Sequence, residues 1–160
     1  MPYTNSVDFR GVCGNFRFKI YTVTDAATTN SVVKTDMRQV FFVSSTNTTD
    51  NADNFKAQIL NWTGSADTDT ANELQDTSET YVNQLTNLIV YATSGANNGD
   101  GSIIEFKDAD ELNLNTLNAP ATAQDLFPAG TETYRINDER HIMLTPVTAN
   151  DDGTLILLGQ

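Results

Sequence analysis

Residues 141–160, HIMLTPVTANDDGTLILLGQ, decide the fold class of this chain. Every position from Leu155 to Leu158 is apolar, so both faces of an extended strand here carry apolar side chains. An exposed edge of that kind templates aggregation. We therefore predict that this strand is central in a sheet or covered by a neighbouring subunit. We also predict that it forms a closing hairpin with HIMLT across an Asp/Gly turn.

Upstream segments show the same strand character. Residues 15–24, NFRFKIYTVT, alternate with a period of two, which predicts one face in the core and a second face that carries Arg17 and Lys19. Residues 38–46, RQVFFVSST, contain a nearly continuous apolar run, typical of a strand buried on both faces. Further strands are predicted at 55–62, 86–94, 102–108 and 133–137, with GANNGDGS (95–102) as a hairpin turn.

The composition supports an all-β chain. Thr occurs 23 times and Asn 17 times, which favours strands and turns over helices. A short helix over 70–85 is the one helical segment that the spacing of apolar residues allows. We predict a single domain over 1–160, a β-sandwich or distorted barrel of about eight short strands with long polar loops and at most a short helix.

Charge and cysteine content exclude several classes of protein. The net charge is −12 and the nine Lys and Arg are scattered, which argues against nucleic acid and anionic membranes as partners. Cys13 is the single cysteine, so it forms no intrachain disulfide, and we interpret it as a small buried apolar residue. No signal peptide and no apolar run of membrane-spanning length are expected.

The chain lacks the usual residues of catalytic and metal sites. His141 is the only histidine, so zinc ligation and a Ser–His–acid triad lack partners for it. The acidic loop that begins at Asp67 and Asp69 departs from the calcium-loop pattern at its fifth, sixth and twelfth positions. Trp62, the single tryptophan, is interpreted as a core or interface residue and not as a sugar platform. We predict no enzymatic activity, no metal and no cofactor.

Two segments resemble a group of small tailed-phage virion proteins: GNFRFKIYTVT (14–24) and RHIMLTPVTANDDGTLILLGQ (140–160). The resemblance implies a structural role in a virion, most directly as a decoration or cement protein on the outer capsid surface. The partners it implies are the major capsid protein or other virion proteins and further copies of this chain, after synthesis in the host cytoplasm. A tail, neck or fibre-attachment component is the alternative within this class, and a carbohydrate- or cation-binding adhesive domain is the alternative outside it.

A contact segment is predicted between residues 112 and 130, LNLNTLNAPATAQDLFPAG. Its weak pattern and two prolines indicate a connection too irregular to bury all of its apolar side chains locally. The predicted protein-contact residues are Leu112, Leu114, Leu117, Leu126 and Phe127. The sheet core is expected instead in VFFV (40–43) and LILL (155–158).

Overall fold

The computed structural model describes residues 3–10, 16–26, 30–47, 56–116, 125–145 and 151–160. These residues form two antiparallel sheets, of four and seven strands, and a single 3-10 turn at Asn83–Leu85. The described residues contain no α-helix. The all-β prediction is therefore confirmed, with eleven strands in place of about eight.

The chain folds as two compact units: unit 1 comprises Met1–Leu60 and Glu139–Gln160, and unit 2 comprises Asn61–Asp138. Two strands run across the boundary between the units, β5 (Lys56–Ser65) and β10 (Thr133–Thr145). The other strands of unit 1 are β1 (Tyr3–Arg10), β2 (Arg17–Ala26), β3 (Ser31–Lys34), β4 (Val40–Asn47) and β11 (Asp151–Gly159). The single domain predicted over 1–160 stays a prediction.

Unit 1 is a two-layer sandwich. One layer is the four-stranded sheet in the order β1-β2-β11-β4, and the other contains β3 paired with the last part of β10. The two layers meet in one apolar cluster, whose buried members are Tyr21, Val33, Met37, Val40, Ile142, Leu144, Leu155 and Leu157. Neither sheet closes on itself within the described residues, so the sandwich forms and the distorted barrel does not.

The closing segment is not a hairpin, contrary to the prediction. His141 to Leu144 of β10 pair with β3, whereas β11 pairs with β2 on one side and β4 on the other. The central position predicted for β11 is confirmed, with Leu155 and Leu157 fully buried and Ile156 and Leu158 half-buried. A strand that is apolar on both faces is stabilised by two neighbours, and β10 belongs to the other layer.

The inward face of β2 is the opposite of the one predicted. Lys19 and Tyr21 are buried, while Phe16 is exposed and Phe18 and Ile20 are half-buried. Lys19 tolerates the inner face because its ammonium forms an ion pair with Asp36. Its aliphatic stem then counts as apolar surface, which the alternation in the sequence does not reveal.

Unit 2 is one antiparallel sheet with a hydrophobic core of its own. Its strands are β6 (Glu73–Gln75), β7 (Ile89–Ala92), β8 (Gly101–Phe106) and β9 (Glu111–Thr116), with the first part of β10. Their order is β10-β7-β8-β9-β6. The predicted β7–β8 hairpin is confirmed, and Gly95 and Gly99 take φ values of 77° and 95° in its turn, which glycine adopts without steric cost.

The helix predicted over 70–85 does not form, because this segment makes its hydrogen bonds to distant residues. Leu74 lies in β6, in register with Leu112 of β9. The Tyr81 amide donates to the carbonyl of Ala109 at 2.6 Å. Leu74, Tyr81 and Leu85 are all buried, so the apolar spacing that indicated a helix instead reflects three separate insertions into the core.

Candidate interaction surface

Three phenylalanines of unit 1 lie exposed on its surface. Phe16 is 53% exposed, Phe41 44% and Phe42 53%, and they are the exposed large hydrophobic residues of the described part of the chain. A single exposed apolar side chain is ordinary, but a contiguous apolar patch marks a place where something binds. The three side chains form such a patch only if they lie together.

The sheet register places them at one end of the four-stranded sheet. Leu158 of β11 pairs with Phe18 of β2 and with Phe42 of β4, so these three side chains share the outer face. The register slips between Leu158 and Gly159, where Gly159 pairs with Val40, and Phe41 is the extra residue of this bulge. Phe16 meets Phe41 edge-to-face, with ring centroids 6.1 Å apart.

The C-terminal residues hold the bulge in place. The Arg38 amide donates to the Gln160 carbonyl at 2.6 Å, and the Gln160 amide donates to the Gln39 carbonyl at 3.0 Å. The chain passes so close at Gly159 that a Cβ there would lie 2.2 Å from the Gln39 oxygen. The position of Phe41 therefore depends on the absence of a side chain at residue 159.

The patch extends along the outer face of the sheet and carries no charge. Behind the Phe18–Leu158–Phe42 row lies a second row, in which Ile156 pairs with Ile20 and with Ser44. We call this surface the aromatic face and define it by Phe16, Phe18, Phe41, Phe42, Ile156 and Leu158. The two rows contain no Asp, Glu, Lys or Arg, so a partner meets apolar side chains and one hydroxyl.

Charged residues lie on the opposite, inner face of the same sheet. Arg17 Nη2 donates to Asp36 Oδ2 at 2.9 Å, and Lys19 forms an ion pair with the same carboxylate. The hydrogen bond from Lys19 is the largest effect and lowers the pKa of Asp36 below its usual value of 3.8; burial opposes it, and the hydrogen bond from Arg17 lowers the pKa further. Both cations of β2 are therefore neutralised away from the aromatic face.

The two units differ sharply in charge. Unit 1 contains seven Lys and Arg against eight Asp and Glu, a formal charge of −1. Unit 2 contains two Lys and Arg against thirteen Asp and Glu, a formal charge of −11, and together the units give the −12 of the whole chain. Repulsion between carboxylates, and their hydration, are therefore concentrated in unit 2. The exposed aromatic surface lies on unit 1, which is nearly neutral.

The polar cluster of unit 2 around Asp76 is the strongest rival as a site. Asp76 is buried, and one carboxylate oxygen accepts hydrogen bonds from the Tyr134 hydroxyl at 2.8 Å and the Ser65 amide at 3.2 Å. The other oxygen accepts from the Ser78 amide at 3.0 Å and its hydroxyl at 2.5 Å. Four donors satisfy the carboxylate, which therefore has a structural role and no capacity left for a ligand.

Aromatic residues extend this cluster into the core. Tyr81 donates to the Tyr134 hydroxyl at 2.8 Å, and burial raises the pKa of both phenols. Trp62 is 1% exposed, packs on Tyr81 at 5.8 Å and donates its indole N–H to Glu79 at 2.9 Å. The interpretation of Trp62 as a core residue is confirmed, and so it offers no stacking platform to a sugar.

Four of the five predicted contact residues are core residues of unit 2. Leu112, Leu114, Leu126 and Phe127 are between 0% and 4% exposed, and Leu117 lies outside the described residues, as does Cys13. The expectation that this segment leaves its apolar side chains unburied is wrong for these four. Residues 111–116 form β9, which pairs with β8 and β6, and Phe127 packs against Tyr134 with centroids 6.3 Å apart.

His141 and Asp67 are held by contacts within the described part of the chain. His141 is 3% exposed within β10, in register with Lys34 of β3. Asp67 accepts two hydrogen bonds from Thr77, both of 2.7 Å, and these lower the pKa of its carboxyl group. No group of three or more His, Cys, Asp or Glu in the described ranges is placed to hold a metal ion.

Sequence reasoning missed the aromatic face because it placed Phe41 and Phe42 in the core. One signal was available: two consecutive phenylalanines in a strand point to opposite faces, so a strand with only one buried face must expose one of them.

The part of the chain that the structure describes contains no helix with the length and apolar character needed to cross a membrane. Comparison of the chain with protein-family models, curated proteins and solved structures found no match.

Proposed function

We propose that this protein is a structural protein of a tailed-phage virion, of the decoration or cement type, which acts by contact and not by catalysis. The aromatic face carries the proposal, because an uncharged apolar patch rich in phenylalanine is the composition of an interface core. The resemblance of residues 14–24 and 140–160 to virion proteins supplies the biological setting.

The division of charge between the units supports a contact role. Docking removes water from the surface that binds. The free energy of this desolvation is favourable for the aromatic face and strongly unfavourable for ionised carboxylates. Unit 2, with a formal charge of −11, keeps its hydration and keeps the protein soluble while unit 1 binds. We therefore assign attachment to unit 1, on the major capsid protein or another virion protein.

Copy number in purified particles tests the position in the virion. Quantitative mass spectrometry against the major capsid protein should give hundreds of copies per particle for a decoration protein. Six or twelve copies would instead place the protein at the neck or tail. Absence of the protein from purified particles would remove the proposal in both forms.

Binding to particles that lack the protein tests the surface. The triple variant Phe16→Ser, Phe41→Ser and Phe42→Ser should lose most of the binding of the wild-type chain, since central aromatic residues dominate interface energies. A matched control changes three exposed residues of unit 2, Thr63→Ser, Gln84→Ser and Asn98→Ser, and should bind normally. Equal binding by both variants would show that the aromatic face is not the attachment surface.

The adhesive alternative has less support in the described residues. A sugar-binding domain uses exposed aromatic platforms beside polar groups, whereas Trp62 is buried and the two described rows of the aromatic face contain one hydroxyl and no charged residue. A calcium-dependent version predicts a change of melting temperature on addition of calcium or EDTA. We expect no change, because Asp67 and Asp76 are already occupied by hydrogen bonds from the protein.

A further inference from the structure

We infer that Asn98 is a site of spontaneous deamidation, and that the hydrogen bond from the Gly99 amide to the Ala92 carbonyl controls its rate. The site lies in the turn between β7 and β8, in unit 2. The reaction modifies the chain itself, with water as the other reactant, and therefore stands apart from the proposed function.

The sequence singles out Asn98 chemically. Of the 17 asparagines in the chain, it is the only one followed by glycine. Deamidation begins when the main-chain nitrogen of the next residue attacks the carbonyl carbon of the asparagine side chain. A side chain on that next residue obstructs the attack, and glycine has none. In the unfolded chain, Asn98 is therefore the most reactive asparagine.

The reaction balances with water alone. The Gly99 nitrogen gives up its proton to hydroxide and forms a bond to the side-chain carbonyl carbon of Asn98. The bond from that carbon to the side-chain nitrogen breaks, and this nitrogen takes a proton from water and leaves as ammonia. Water then opens the cyclic imide at either carbonyl. The product is an aspartyl residue or its isomer, in which the main chain runs through the side chain, and both carry one added negative charge.

The folded turn leaves Asn98 open to water. Asn98 and Gly99 are both exposed. Gly99 has a φ of 95°, and in the described part of the chain nothing lies within 4 Å of the position that a Cβ would take there. Neighbouring residues therefore leave room on that side of the main chain for the Asn98 side chain to approach the Gly99 nitrogen.

The hydrogen bonds of the turn oppose the reaction. The Gly99 amide donates to the Ala92 carbonyl at 2.9 Å, and the Asp100 amide donates to the Asn97 carbonyl at 2.9 Å. The Asn97 side chain anchors the turn further, because its amide donates to the Asp125 carbonyl at 2.7 Å. A main-chain amide that donates a hydrogen bond loses its proton to hydroxide only after the bond opens. Deamidation therefore requires local opening of the turn.

Ageing of the whole chain at mildly alkaline pH tests the site. Anion-exchange chromatography separates the product by its added charge, and peptide mass spectrometry locates the modified residue. In guanidinium chloride, Asn98 should deamidate ahead of the control Asn87, whose next residue is leucine. In the folded chain at the same pH and temperature, Asn98 should react at least about tenfold more slowly, because the turn must open first. Asn98→Gln should abolish this product.

Hydrogen exchange of the Gly99 amide measures the opening of the turn independently. Exchange and deamidation both start when hydroxide removes the Gly99 proton, so folding should slow the two reactions by the same factor. NMR of the folded chain gives the exchange rate. Asn97→Ala removes the anchor to Asp125 and should accelerate both reactions together. The matched control Ala96→Ser, at an exposed residue of the same turn, should leave both rates unchanged.

The site and its control by the turn can each be overturned. Faster deamidation of Asn87 than of Asn98 in guanidinium chloride would show that Asn98 is not the reactive site. Equal rates for Asn98 in the folded and unfolded chain would show that the turn exerts no control. A slowing of deamidation that differs from the slowing of exchange by about tenfold or more would show that the Gly99 hydrogen bond is not the controlling one. Particle binding by the aromatic face is tested separately from all of these.

Discussion

The two units place their large aromatic side chains differently. Unit 2 buries its large aromatic residues and satisfies their polar atoms internally, as the chain from Tyr81 through Tyr134 to Asp76 illustrates. Unit 1 buries one face of its four-stranded sheet and leaves phenylalanines on the other. The comparison teaches that apolar content does not distinguish a core from a contact surface. What distinguishes them is whether another layer covers that face of the sheet.

We expect the largest difference in stability between the loss of a buried phenylalanine in unit 2 and the loss of an exposed one in unit 1. Phe127→Ala removes a fully buried ring and should lower the free energy of unfolding by about 3–5 kcal/mol. Phe42→Ala removes a ring that is 53% exposed and should cost below about 1 kcal/mol. Urea unfolding of both variants measures the difference. Equal losses would mean that Phe42 is a core residue and that the contrast between the units is wrong.

The buried carboxylate of unit 2 gives the next effect. Asp76→Ala leaves the Tyr134 hydroxyl, the Ser65 amide and both Ser78 donors without their acceptor. We expect a loss of about 2–3 kcal/mol, because the buried Tyr134 hydroxyl loses its acceptor and carries a desolvation penalty, whereas the donors of the exposed Ser65 and Ser78 can turn to water. Asp69→Ala, at an exposed carboxylate, is the control and should change stability by about 0.5 kcal/mol or less. If Asp76→Ala lowered the free energy of unfolding as little as Asp69→Ala, the cluster would have no structural role.

The bulge of unit 1 is sensitive to a single methyl group. Gly159→Ala places a Cβ 2.2 Å from the Gln39 carbonyl and should cost about 1–3 kcal/mol as the backbone shifts. Because the shift moves Phe41, binding to particles that lack the protein should weaken together with stability. Thermal unfolding and particle binding on the same samples measure both. Lower stability with unchanged particle binding would show that Phe41 does not contribute to the contact.

The smallest effect is an opposite pH response of the two units. The lowered pKa of Asp36 in unit 1 adds stability above the usual value of 3.8, and this is lost as pH falls through the lowered value. In unit 2, burial raises the pKa of Glu79 above 4.5, so its contribution is present at low pH and is lost as pH rises through the raised value. Each effect should stay below about 1 kcal/mol, because solvent screens both carboxylates.

Unfolding midpoints between pH 3 and pH 7 for two isosteric variants separate these contributions. Asp36→Asn should lose stability relative to wild type near neutral pH and little at pH 3. Glu79→Gln should gain relative to wild type as pH rises. Parallel pH profiles for the two variants would contradict the opposite signs.

The strands that sequence predicted are those whose pattern is local. β2, β5, β7, β8 and β11 each show alternating or continuous apolar residues, and each forms near its predicted position. β9 was missed because Asn alternates with Leu within a Pro-containing connection, and its alternation becomes visible only beside β8. The sequence around the Asp76 cluster gave no signal, since its donors come from residues up to 58 positions apart.

By itself, the sequence determined the all-β class, the turn between β7 and β8, the central place of β11 and the total charge of −12. Only the tertiary structure decided that Lys19 faces inward, that VFFV lies last among the described strands of its sheet, that Leu112 and Phe127 are core, and that the acidic charge lies in unit 2. The physical reason is that strand periodicity is a property of neighbouring residues, and it fixes which side chains share a face. Which face is buried, and which strand is left at an edge, depends on pairing between strands far apart in the chain.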